Sequence, residues 1–158
     1  MFVRDEARIP VAFAVARTRL ADLAAGGFLL DAAQAAYGDG ATGLARVGLP
    51  GTWPGLSKLV AIHVGDVAAS ADSARLPLRW DATGPGSSLF PALDADIALA
   101  PDGEHATMLT LTGVYRPPLG VVGAMLDRAI LSRVATATIR DFIGRLAADI
   151  QRQNQPRT

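Results

Sequence analysis

Apolar and polar residues alternate along much of this chain, and the places where the period changes mark its elements. In Phe2 to Ile9, Val3, Ala7 and Ile9 share one parity while Arg4, Glu6 and Arg8 take the other, which predicts a strand with one covered face. Asp5 falls on the apolar parity. Pro10 closes the strand and suits the start of a helix, where its missing donor costs nothing. From Val11 to Ala25 the period becomes helical, with Phe13, Ala16, Leu20 and Leu23 recurring every three or four residues. The stretch AAGGF breaks this helix, a second short one is expected from Phe28 to Tyr37, and YGDG ends it.

After Gly40 the period returns to two. Strands are predicted over Thr42 to Leu49 and Lys58 to Val67, separated by the PGTWPG turn that holds Trp53. Ala74 to Thr83 places Leu76, Leu78 and Trp80 on one face and Pro77, Arg79 and Asp81 on the other. Pro77 cannot donate to a ladder, so it marks an edge, a bulge or a gap. Leu89 to Ala100 sets Leu93, Ala95, Ile97 and Leu99 against Asp94 and Asp96. PDGEH is a hairpin turn, since Asp-Gly suits positive φ. Thr107 to Tyr115 then points Leu109, Leu111 and Tyr115 one way and Thr110 and Thr112 the other. The short gaps between these strands imply an antiparallel meander covered on one side.

The longest helix is expected from Leu119 or Val121 to Ile150. Leu126, Ile130, Val134, Ile139, Phe142, Leu146 and Ile150 form a drifting apolar stripe along it. Its partner is the apolar face of the sheet. Before it, Pro117 and Pro118 end the preceding strand, and Gly120 and Gly123 allow close passage of the backbone.

The order of strand, two short helices, antiparallel strands and one long helix resembles the START-like, or helix-grip, superfamily. This is also called the polyketide cyclase/dehydrase and lipid-transport superfamily. The resemblance covers nearly the whole chain. It rests on FVRDEARIPVAFAVA leading into the first helix, LPLRWDATGPGSSLFPALDADIALAP as a hairpin, and TMLTLTGVYRPPLGVVGAMLDR leading into the last helix. LRWDATG, LDADIAL and LTLTGVYRPP are also similar to small actinobacterial-type members of that superfamily. The resemblance implies an α+β helix-grip fold, in which a curved antiparallel sheet of six or seven strands wraps around a long C-terminal helix. The reading here finds six strands. A seventh would lie between Ala41 and Ser57, or one long strand is bent into two. The expected organisation is a single domain over residues 1–150 with a flexible polar tail over 151–158.

Composition narrows the function. Fifteen basic and fifteen acidic residues cancel in 158, so the chain lacks the electrostatic footprint of a nucleic-acid binder. No apolar run is long enough to span a bilayer, and no targeting segment is expected at the start, so no membrane insertion is predicted and a cytoplasmic location is the plain expectation. There is no cysteine, hence no disulfide or thiolate. The two histidines, His63 and His105, lack partners at ligand spacing; no metal and no cofactor is predicted. The motifs of zinc proteases, nucleophile elbows and Walker loops are missing, and no catalytic residue is assigned. Asp94 and Asp96 could suggest paired carboxylates, but cross-strand pairing with Arg79 on an outer face explains them more simply.

The resemblance implies an internal cavity that takes a small hydrophobic or aromatic ligand, lipid or polyketide-like. Its candidate ligand-binding residues are Trp80 and Tyr115 as inward aromatics, Arg116 as an anchor for an acidic group, Phe90 and Met125 as walls, Trp53 as a cover, and Asp5 as an inward acid. Ordinary core packing accounts equally for the aromatics, and solvation for Arg116. An inward Asp5 needs a partner, or the register of its strand is off by one. Two alternatives stay open. One is a cyclase or dehydratase-type enzyme, marked by an inward ionisable pair. The other is an interaction protein with a closed core. A homodimer also stays open.

Overall fold

The computed structural model describes residues 1–27, 60–82, 92–116 and 128–152. β1 (Phe2–Ile9) leads into α1 (Phe13–Ala25). Then come β2 (Val60–Val64), β3 (Ala68–Ala69), β4 (Ala74–Ala82), β5 (Ala92–Pro101), β6 (Thr107–Arg116) and α2 (Arg128–Arg152). The second short helix, the strand expected over 42–49 and the 117–127 join lie outside the described residues.

The six strands form one curved antiparallel sheet in the order β1, β6, β5, β4, β2, with β3 also paired to β4. β4, β5 and β6 are the expected meander, and β1 adds to its far side by pairing with β6 along its whole length. The Met1 carbonyl extends this ladder, accepting from Tyr115 N–H at 2.8 Å. The fold is the helix-grip fold.

The strand expected from Lys58 to Val67 is shorter than its pattern, because Pro77 interrupts it. β2 pairs with β4 only as far as Val64 opposite Leu78. Gly65 N–H then donates to Pro77 O at 2.9 Å, and pairing resumes in β3 with Ala68 opposite Arg75. A proline has no N–H to keep an unbroken ladder, so the expected strand stops at Val64 and pairing resumes only past its predicted end. The other expected turn chemistry holds at Gly103, whose φ is +85° between β5 and β6.

Pro10 does not open the helix. Val11 N–H turns back to Ile9 O at 2.8 Å, and α1 starts only at Phe13, capped by backbone alone. Its buried face is Ala16, Arg19, Leu20 and Leu23. α2 buries Ala135, Thr138, Ile139, Phe142, Ile143, Leu146, Ala147 and Ile150, so the expected stripe is present from Ile139 onward. The side chains of Leu126, Ile130 and Val134 lie outside the described residues.

The core is the concave face of the sheet against these two helices. Leu76, Leu78, Trp80, Leu93, Ile97, Leu99, Leu109 and Leu111 are all essentially fully buried. α2 lies close along β1 and touches β6, whereas α1 meets β5 and the end of α2.

Candidate functional site

The concave face can be written as rows of facing residues. At one end Tyr115 faces Leu93, and Leu93 faces Trp80. The next row is Val3, Gly113, Ala95, Leu78 and Val64. The third is Asp5, Leu111, Ile97 and Leu76. Strand alternation puts all of these on one face, as the sequence pattern requires.

Trp80 is 1% exposed and meets the Phe142 ring of α2 edge-on, with centroids 6.4 Å apart. This is the geometry that favours the positive ring edge over a negative ring face. Tyr115 is buried one strand beyond Leu93. The two aromatics therefore stand at the same end of the concave face with a leucine between them. Asp5 is inward, as the register implies, and half-buried. Among the described residues its carboxylate makes no hydrogen bond or ion pair. Arg116 is exposed at the end of β6, on the parity opposite to Tyr115, and faces Ala92. Phe90, Met125 and Trp53 lie outside the described residues.

The convex face carries the charges. Arg79 stands opposite Asp94, bonds Asp81, and has exposed His63 on its other flank. Its guanidinium is held above its ordinary pKa, first by the hydrogen bond to Asp81 and then by that carboxylate's charge. A raised cationic pKa contributes below the unfolded value and is lost only as pH climbs through the folded one, far above neutrality. Arg75 reaches Asp96 at 4.0 Å. Asp94 and Asp96 thus belong to a solvated cross-strand network rather than to a site. His105 stands in solvent at the tip of the β5–β6 turn. Among the described residues no three histidine or acidic side chains converge as a metal site would require.

Three features escaped the sequence reading. Arg19, buried on α1, donates to Ile150 O at 2.5 Å. It stands three after Ala16 and four before Leu23, so its place on the apolar stripe was open to view. Thr107 closes the β1–α1 corner by donating to Val11 O at 2.7 Å. Gly113 sits between Leu111 and Tyr115 on the inward parity, where β5 passes too close for a side chain.

No protein-family model and no curated protein matches the chain. Solved structures do. A conserved protein from Geobacillus kaustophilus aligns over 97% of this chain and 97% of its own, with 16% identity and a TM-score of 0.53. The hypothetical protein jhp0584 from Helicobacter pylori aligns over 94% and 86%, with 10% identity and a TM-score of 0.53. At these identities the likeness is one of fold. Among the described residues no helix is long and apolar enough to cross a membrane.

Proposed function

We propose that this protein binds a small hydrophobic molecule, lipid or polyketide-like, between the concave sheet and α2. The observation that carries this is the uneven seating of the helix. α2 approaches the backbone of β1 and β6, while β4 and β5 face it mainly through side chains such as Trp80 against Phe142. A helix seated closely on one side of a curved sheet leaves its widest separation on the other. The side chains on that side are Leu78, Trp80, Leu93 and Tyr115, all buried, so a ligand would take its place by parting them from α2. Sites of this kind derive affinity from apolar burial and orientation from a few polar groups.

The enzyme alternative needs an inward ionisable pair within hydrogen-bond reach. Asp5 makes no such pair among the described residues, so the binding reading is favoured. Native mass spectrometry beside the denatured mass tests it. The expected result is a reproducible small molecule that leaves on denaturation and extracts into organic solvent. A clean apo mass, together with tryptophan fluorescence unmoved by saturating decanol, would contradict it.

A further inference from the structure

We propose that the outer surface at the Tyr115 end of the sheet docks on an anionic lipid surface, with Phe2 and Val114 entering its headgroup layer and Arg116 meeting its phosphates. The inference goes beyond the interior site and does not depend on it.

Phe2 and Val114 are 68% and 48% exposed, the most exposed large apolar side chains among the described residues. They face each other across β1 and β6. Met1 and Tyr115, the next pair along, exchange both backbone hydrogen bonds at 2.8 Å. Phe2 and Val114 are therefore a pair without mutual hydrogen bonds, the kind whose Cα atoms lie only about 4.5 Å apart, and their side chains form one patch. Val114 and Arg116 flank the inward Tyr115 on β6, so Arg116 emerges on the same outer face, about 7 Å from Val114.

Charge singles out the same spot. Arg4, Arg8, Arg75 and Arg79 have carboxylate partners in Glu6, Asp102, Asp96 and Asp81 respectively. Arg116, exposed at the end of β6, is the one strand arginine that makes no ion pair among the described residues. Asp94, on the far side of Val114, stands opposite Arg79. The patch thus presents two apolar side chains with an uncompensated cation beside them.

Shape decides the occupant. The face is convex, so it offers no concavity to a dissolved small molecule. A stable protein interface takes roughly 20–30 residues a side, and the surface beside this patch carries the paired charges of Arg4 with Glu6 and Arg79 with Asp81. A lipid surface is soft enough to receive two protruding side chains, and its phosphates match a guanidinium.

Co-flotation with phosphatidylcholine vesicles, with and without phosphatidylserine, tests this. The wild type is expected to bind the phosphatidylserine vesicles about fivefold more tightly than the neutral ones. Phe2→Ser should lower that binding about tenfold or more. Arg116→Gln should lower it about fivefold and leave binding to neutral vesicles unchanged. Val15→Ser removes an exposed apolar side chain on α1 and should change nothing. Melting temperature checks that each variant folds, and decanol binding by Phe2→Ser should match the wild type. No flotation of the wild type overturns the docking surface. So does an equal loss in Val15→Ser and Phe2→Ser, or binding indifferent to both phosphatidylserine and Arg116→Gln. A dimer that Phe2→Ser disperses, without flotation, gives the patch to a second copy and overturns it too. Each of these results leaves the interior site standing.

Discussion

A β-carbon at position 113 would lie 2.5 Å from Ala95 Cβ and 2.5 Å from Asp94 O, closer than real atoms approach. Gly113→Ala should therefore cost roughly 1–3 kcal/mol by overpacking between two strands, read as a lower urea midpoint. Trp80→Ala opens a larger deficit, because it removes an indole packed on Phe142; a loss of roughly 3–5 kcal/mol is expected from the same measurement. At this scale much was legible. Parity alone put Trp80 and Tyr115 inside and Asp94, Asp96 and His63 outside, since successive strand residues must face opposite ways. Parity also placed Asp5 inward, and the structure keeps that register with no partner among the described residues. The demand on Gly113 was not legible. It depends on how closely β5 passes, which is a property of the pairing and not of β6's own pattern.

Elements were legible where one periodicity ran without interruption. β1, β4, β5 and β6 fall close to their predicted places, and α2 continues to Arg152. The strand at Lys58 to Val67 was overextended because its hydrophobic pattern carried no sign of the proline on its partner. A break caused by Pro77 falls twelve residues away, at Gly65. The tie between helices was hidden for a related reason. An arginine on a helix stripe looks like a flaw in the pattern until the carbonyl it serves is known. Arg19 satisfies Ile150 O and places positive charge near the C-terminal end of α2, where the helix dipole favours it. Arg19→Met preserves much of the apolar stem and removes the donor. It should cost roughly 1–3 kcal/mol and speed amide exchange in the last turn of α2 more than in β5 or β6. Uniform exchange throughout would show that the bond does not hold the helix end.

For the molecule as a whole, segregation of charge and apolar surface is the organising fact. Asp5 apart, the charged side chains of the strands lie on the convex face, mostly in pairs along and across strands, while β1, β4, β5 and β6 send apolar residues to the concave face. The sidedness and the strand order within the meander could be read from the chain. The pairing of the first strand with the last could not be derived from local pattern, because it joins segments about a hundred residues apart. The uneven seating of α2 was beyond any sequence pattern, because it is set by side-chain volumes on three elements at once. That seating is the basis for the proposed interior ligand site, so mapping where a neutral apolar ligand lands is the most direct test. Methyl and indole NMR spectra should be followed as decanol is added. The account predicts shifts at the Trp80 indole and the methyls of Leu78 and Leu93, with the exposed methyls of Val114 and Val15 unmoved. Shifts confined to Val114 and Val15, or none at saturation, would contradict it.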